Sequence, residues 1–509
     1  MNISHWIDRW ACYTPDKAAI WFEGDTITYG QLADQVADLA SVLAAELNVG
    51  PGDRVAYLGY NHPRFLALLF ACARLGAVVV PLNYRLAPPE HLFVLRDSGA
   101  TILFVDQDCA ASVETIREQL GDCRLVATES GAARGDCLLL PELLRKPRAG
   151  EAEIEAALDS PLLLVYTSGT TGTPKGALIS QSAILWNALN SQVMYDLRRS
   201  DEVLTTLPFF HVGGLNIQTT PALHAGATVS LMRTFEPAAF IHSMVERRPT
   251  LTVLVPAQIL AVSEHPEWDS LDVSSLRSIT TGSTMVPRSM LELWHKRGIP
   301  VLQCYGCTES CPIAIHTLPE NAASSIGSVG KPAMYCEARI VDDDGNDVPD
   351  GEPGEILLRG PNMFREYWGN SKATEHSFRD GWFHTGDIGY RSEEGYYYVV
   401  DRKIRMIISG GENIYPAQLE GVLLDHPDID EAAVVAYPDE RWGEVAVAAV
   451  VTHSDKTLDT EGLKGLFEGR LGRLKHPRHI VALPGLPRNA MGKVVYADVQ
   501  ATLASILAD

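Results

Sequence analysis

The sequence predicts a multidomain α/β protein: a large N-terminal domain of layered α/β subdomains that includes a β-rich subdomain, followed by a small mobile α+β domain at the C-terminal side. Three observations lead there. The 509 residues exceed one ordinary domain of roughly 100 to 200 residues, so several packed units are expected. From Tyr29 to about residue 230, helical apolar periods alternate with short β-branched runs, the pattern of α/β layers around largely parallel sheets. The texture then changes twice, near Val329 and near Asp401.

In chain order, the strands expected in the first region are Arg54 to Leu58, Ala77 to Val80, Ile102 to Val105 and Leu162 to Tyr166. The longest apolar stretch, Phe65 to Leu82, contains Arg74 and Gly76 and reads as a buried helix followed by a strand. It is not a membrane span, because an arginine near a bilayer centre costs roughly 2.5 to 3.5 kcal/mol. Between Val329 and Tyr398, glycine turns such as Asp342 to Gly345 and Gly351 to Gly354 punctuate short strands, which places a β-rich subdomain at about 329–398 inside an N-terminal domain of 1–400. A hinge is expected at 401–405 and a small domain at 406–509. That domain should hold helices Pro416 to Leu424 and Thr460 to Leu471 and strands near Ala432 to Ala436, Val445 to Val451 and His479 to Leu483.

Composition excludes some partners. The net charge of −22 repels both a phosphate backbone and an anionic membrane surface, which argues against nucleic acid. Nine cysteines, an odd number, scattered through a long chain, and first residues without the apolar core of a signal peptide, point to the cytoplasm.

The strand ending at Tyr166 runs into Thr167-Ser168-Gly169-Thr170-Thr171-Gly172-Thr173-Pro174-Lys175-Gly176, which carries five hydroxyls, three glycines and a lysine. Freed backbone amides, short hydroxyl donors and a cation suit a polyphosphate, whose charge must be met by many donors at close approach. The spacing is not that of a Walker loop.

This loop resembles the signature of the acyl-adenylate-forming superfamily, which holds acyl-CoA synthetases, carrier-loading adenylation domains and beetle luciferases. The resemblance continues through Tyr305-Gly306-Cys307-Thr308-Glu309, Trp382 to Asp387, Asp401-Arg402-Lys403, Ser409 to Asn413 and Pro487 to Lys493. It implies an AMP-binding fatty-acid or aryl-acid CoA ligase that uses ATP, CoA and Mg²⁺, converting a carboxylic acid to acyl-AMP and then to acyl-CoA by domain alternation. Carrier loading and luciferase-like oxygenation are the other chemistries it allows. A carrier-loading enzyme would normally be followed by or paired with a carrier, whereas 16 residues follow Lys493 here; transfer to a separate carrier stays open. A homodimer is allowed.

By the same resemblance, Glu309 is the metal carboxylate and Thr308 binds the α-phosphate, while Thr167, Ser168, Gly169, Thr170, Thr171, Gly172, Thr173 and Lys175 hold the other phosphates. Adenine is expected at Thr281, Gly282, Ser283 and Tyr305, and ribose at Asp387 and Arg402. The plainer readings of Asp387 and Arg402 are a turn aspartate and a hinge salt bridge. Lys493 is assigned to adenylation, as a cation swung toward developing negative charge. Gly410 and Gly411 are expected along the pantetheine path, with Arg85, Trp442 and Arg478 at the CoA nucleotide. Ile404 departs from the polar hinge residue usual in this superfamily.

Pro208 to Gly214 resembles the superfamily segment that carries the gate and wall of the acyl site, which implies an acyl pocket at His211, Val212, Gly213, Cys304 and Gly306 with His211 as a positioning gate. A carboxylate needs no general base near neutral pH. Cys304, Cys307 and Cys311 have a metal-like spacing, but the nucleotide motif interrupts them and no second ligand pair follows, so they read as small pocket-lining side chains. No arginine stands in these pocket segments, which disfavours dicarboxylates and favours an apolar acyl or aryl chain.

Overall fold

The computed structural model describes the chain except residues 133–134, 149–155, 168–173, 283–285, 287, 410–411, 440–441, 454–461, 469, 472, 490–491 and 509; of residues 404, 408, 412, 413, 443, 474 and 508 it describes the backbone alone. Two compact units form: residues 1–338 with 358–383, and residues 339–357 with 384–509. The segment 401–405, expected as a hinge, lies within the second unit as the end of strand Tyr397–Arg402 and the 3₁₀ turn Lys403–Arg405.

The first unit is built on two large sheets. One has nine strands, and its central six, from Val301–Tyr305 through Ser278–Gly282, Leu251–Val253, Glu202–Thr205 and Thr228–Leu231 to Ala18–Phe22, all run parallel. The other has eight strands, six of them parallel, and ends in the antiparallel pairs of Pro161–Thr167 with Lys175–Ser180 and of Lys175–Ser180 with Glu366–Tyr367. Parallel strands are covered on both faces, which is why they are apolar throughout: every residue of Val78–Leu82 and Ile102–Val105 is buried.

The apolar stretch divides as its composition predicts. Pro63–Leu75 is a helix, started by Pro63 and by His62, whose Nδ1 accepts from Arg64 N at 3.0 Å, and ended by Gly76 at φ 70°. Strand Val78–Leu82 follows, one residue later than expected at its start. Among the described residues no helix is long and apolar enough to cross a membrane.

In the second unit, Asp387 to Arg391 of strand Trp382–Arg391 pair antiparallel with strand Tyr397–Arg402. A further sheet joins Glu412–Ile414, Ile407–Ser409, Gly443–Thr452, Ile429–Asp439 and His479–Ala482, and helix Pro416–Leu424 buries Leu419 and Leu423 against it beside Phe467. One expected element differs: of the helix expected from Thr460 to Leu471, the described residues Gly462–Phe467 form a 3₁₀ helix. Gly462 and Gly465 explain it, since each glycine costs about 1 kcal/mol relative to alanine in an α-helix.

Candidate active site

Strands Pro161–Thr167 and Lys175–Ser180 close as a hairpin with Thr167 opposite Lys175, and Thr167 Oγ1 donates to the Lys175 carbonyl at 3.4 Å. The two ends of the phosphate loop are thereby fixed side by side. The loop's interior, Ser168, Gly169, Thr170, Thr171, Gly172 and Thr173, lies outside the described residues. The Lys175 ammonium stands 5.4 Å from the centre of the Tyr367 ring. The Tyr367 hydroxyl donates to Glu309 Oε1 at 2.6 Å. Lys175 and Glu309, 134 positions apart in sequence, thus meet on the two sides of one tyrosine.

Glu309 sits in the 3₁₀ turn Thr308–Ser310, just beyond strand Val301–Tyr305, and Thr308 and Glu309 are both buried. The turn is held from several sides. Cys307 N donates to Ser310 Oγ at 2.9 Å, Phe364 N to the Glu309 carbonyl at 2.6 Å, and Asn362 Nδ2 to the carbonyls of Ser310 and Ile313 at 2.6 and 3.0 Å.

Gly306 is required for space, because a Cβ there would stand 1.8 Å from the Pro312 carbonyl oxygen. Gly306→Ala should therefore lower the melting temperature. The crowding costs about 1–3 kcal/mol, against the gain of roughly 0.4–1 kcal/mol that alanine brings where it fits. A parental melting curve would show that the contact yields.

Thr281 and Gly282 end strand Ser278–Gly282, whose neighbour ends at Tyr305, with Gly282 opposite Cys304. The expected adenine residues are thus brought to the carboxyl ends of adjacent parallel strands, where ligands of α/β sheets bind. Ser283 lies outside the described residues. A Cβ on Gly282 would meet the Cys304 carbonyl at 2.6 Å, and the hydroxyl of the buried Thr281 has no hydrogen-bond partner.

The acyl-pocket segment begins the short helix Val212–Asn216. His211 caps it, its Nδ1 accepting from Gly213 N at 2.9 Å, so a neutral ring carries its proton on Nε2. Val212, Gly213 and Cys304 are buried, and burial pushes the Cys304 thiol up to about 12. Arg85 is exposed, with its guanidinium 5.6 Å from the centre of the Tyr84 ring and 5.9 Å from that of Phe210, the residue before His211.

In the second unit Asp387 is opposite Arg402 in the β-ladder, and Arg402 Nε meets Asp387 Oδ1 at 2.8 Å. The two expected ribose groups therefore form the salt bridge that was the plainer alternative, with Arg402 still exposed. Lys493 follows Gly492, at φ 78°, in a turn where Lys493 N donates to Asn489 Oδ1 at 3.0 Å. Surrounding protein lowers the Lys493 pKa from the ordinary lysine value; Arg402 adds to this and Asp387 opposes it. The residue nevertheless keeps an exposed surface, so water screens these charges. Trp442 N donates to Asp439 Oδ1 at 2.9 Å, and the exposed Arg478 donates its backbone N–H to the Ala446 carbonyl at 2.7 Å. Gly410 and Gly411 lie outside the described residues, as does the Ile404 side chain.

Sequence reasoning missed Tyr367, Asn362 and Asn187, which accepts from Ile313 N at 3.0 Å and donates to the Asn216 carbonyl at 2.6 Å. For Asn187 the usable signal was an amide among the apolar residues of a helical stretch, since Asn187 and Asn190 are buried in helix Gln181–Tyr195 beside Ile184, Ala188 and Met194.

Comparison with known proteins shows the family. The model of the AMP-binding enzyme family matches residues 7–368, and that of the AMP-binding enzyme C-terminal domain matches residues 418–493. The chain is 50% identical to an indoleacetate–CoA ligase of Aromatoleum aromaticum, over 99% of this chain and 98% of that protein. It is 39% identical to a feruloyl-CoA synthase of an Amycolatopsis species, over 98% of each. Among solved structures, the o-succinylbenzoate CoA synthetase of Bacillus subtilis in complex with its acyl-adenylate intermediate superposes with a TM-score of 0.85, at 34% identity over 97% of both chains.

Proposed function

We propose, from the premise that this chain belongs to the AMP-binding enzyme family, that its acid is aromatic and that Glu309, Thr308, Lys175 and Lys493 carry its first half-reaction. The protein is an AMP-forming acid–thiol ligase: it converts a carboxylic acid and ATP to acyl-AMP and pyrophosphate, then transfers the acyl group to CoA and releases AMP. In the first step a carboxylate oxygen bonds to the α-phosphorus as the bond to the β-phosphate bridging oxygen breaks, so negative charge builds on the phosphoryl oxygens.

The observation that carries the residue assignment is the meeting of Lys175 and Glu309 on Tyr367, beside the closed hairpin of the phosphate loop. Lys175 and the hydroxyls and amides of 167–173 hold the β- and γ-phosphates, and Thr308 binds the α-phosphate. Lys493 bridges the acid carboxylate and the α-phosphate oxygens. Glu309 suits a magnesium ion, being a hard oxygen donor whose plane is fixed by Tyr367, and Mg²⁺ is commonly held by one or two carboxylates plus substrate phosphates. When bound, the ion supplies neutralisation of the phosphoryl charge. Asp387 and Arg402 exchange part of their mutual salt bridge for the ribose hydroxyls, and Tyr305 with Thr281, Gly282 and Ser283 surrounds adenine.

His211, with Nδ1 engaged, positions the acid and the incoming thiol by its Nε2–H and does no base chemistry. Gly410 and Gly411 line the pantetheine path, with Arg85, Trp442 and Arg478 on the CoA nucleotide, as 401–405 lets residues 406–509 present a second face. The ligase works in the cytoplasm, consistent with nine free cysteines. As a homodimer it would cover apolar surface such as Met334 and Tyr335, 64% and 42% exposed.

The aromatic acid is supported by the buried Val212, Gly213 and Cys304, by pocket segments without arginine, and by relatives that act on indoleacetate and ferulate. A panel of indoleacetate, phenylacetate, ferulate, malonate and palmitate, followed by pyrophosphate release and then CoA thioester formation, tests it. An aryl acid should exceed malonate in kcat/KM by at least about 100-fold, since a second carboxylate would be buried without a partner. Malonate or palmitate as the best substrate would refute the reading.

A further inference from the structure

We propose that Tyr367 is a positioning residue for adenylation, and that the short strand Glu366–Tyr367 splints the exit of the phosphate loop to the turn that carries Glu309. The proposal rests on the assignment of Glu309 to the metal and of Lys175 to the phosphates made above.

The splint is held on both sides. Along one edge, Tyr367 lies opposite Ala177 and Glu366 opposite Leu178, while Arg365 N donates to the Leu178 carbonyl and Trp368 N to the Gly176 carbonyl, both at 2.7 Å. Along the other, Phe364 N donates to the Glu309 carbonyl at 2.6 Å. Five consecutive residues thus register the strand that begins with Lys175 against the backbone of Glu309. The segment is itself anchored: Phe364 stacks on Phe378 at 5.3 Å and meets Phe383 edge-on at 5.6 Å, and Tyr367 N donates to Thr374 Oγ1 at 2.9 Å.

Tyr367 then acts on the side chains. A glutamate fixed only at its backbone would sample several rotamers and leave its carboxylate plane free. The hydroxyl of Tyr367, a residue that is 8% exposed, pins Oε1 at 2.6 Å and so sets the direction in which Oε2 is presented. The face of the same ring carries the Lys175 ammonium, which attracts it through the ring quadrupole. A buried tyrosine needs a partner for its hydroxyl, and any carbonyl would serve; here the partner is the carboxylate assigned to the metal.

The two functions separate by substitution. Tyr367→Phe keeps the ring and removes only the hydroxyl, whereas Tyr367→Leu removes both. Mn²⁺ binding to the enzyme–ATP complex without acid, followed by electron paramagnetic resonance, and metal-free ATP binding by calorimetry read them without turnover. Tyr367→Phe should weaken Mn²⁺ by about 10- to 100-fold, the usual effect of losing an outer-shell partner, with ATP affinity and melting temperature kept. Tyr367→Leu should weaken ATP as well. In a Glu309→Gln background Tyr367→Phe should cost nothing further in Mn²⁺ affinity, which a merely structural tyrosine would not satisfy. Parental Mn²⁺ affinity in Tyr367→Phe, with Glu309→Gln impaired, overturns the proposal and leaves the Glu309 assignment standing. If Glu309→Gln also binds Mn²⁺ as the parent does, both fall.

Discussion

Replacing Lys493 by alanine should abolish acyl-AMP formation while leaving CoA thioester formation from supplied acyl-AMP close to the parental rate. The lysine is motivated by charge that develops only as pyrophosphate leaves, and the second half-reaction expels AMP from a carbonyl without that build-up. Its position suits that role, because Asn489 holds the Lys493 backbone N–H, while the residue keeps an exposed surface and a flexible side chain that can carry the ammonium toward charge. The pH profile supplies a second check. Lys493 acts while charged, and it is charged below its pKa; surrounding protein and Arg402 lower that pKa from the ordinary lysine value. Adenylation should therefore fall on the alkaline side at lower pH than an unperturbed lysine would give. Equal loss of both half-reactions in Lys493→Ala would remove the lysine from its assigned step.

How much of this was legible depended on whether the physics was local. The buried helix before Val78–Leu82 was legible because apolar periodicity and a capping glycine are local signals, and the reading of 167–176 as a phosphate loop rests on an equally local run of hydroxyls, glycines and a lysine. What escaped was register. Nothing in the run Arg365-Glu366-Tyr367-Trp368 announces that it pairs with residues 176–178, or that its tyrosine reaches a glutamate 58 positions earlier. Asp387 and Arg402 were each expected at the ribose, and their direct pairing follows from a ladder in which they stand opposite one another. Within the helix expected from Thr460 to Leu471, the described residues Gly462–Phe467 are 3₁₀ for a local reason, the two glycines Gly462 and Gly465.

Glu309→Gln should slow adenylation by about 10²–10³-fold, or ~2.7–4 kcal/mol of barrier, the cost of removing one oriented stabiliser of developing charge. The substitution is nearly isosteric. A glutamine carbonyl still accepts from the Tyr367 hydroxyl, and the bond from Phe364 N to the backbone carbonyl of residue 309 is untouched. The melting temperature should hold, so the loss reads as chemistry and not as damage to the turn. What disappears is the charge that would meet a hard cation, and raising Mg²⁺ should recover only part of the rate because glutamine offers a weaker ligand. The acid should matter little to the size of the effect, since Glu309 lies in the Thr308–Ser310 turn, outside the acyl segment at His211 to Gly213. Thioester formation from supplied acyl-AMP should change far less, as it transfers no phosphoryl group. An unchanged metal dependence in a folded Glu309→Gln protein would show that the cation is held elsewhere, and the turn at Thr308 to Ser310 would then be a support for the nucleotide alone.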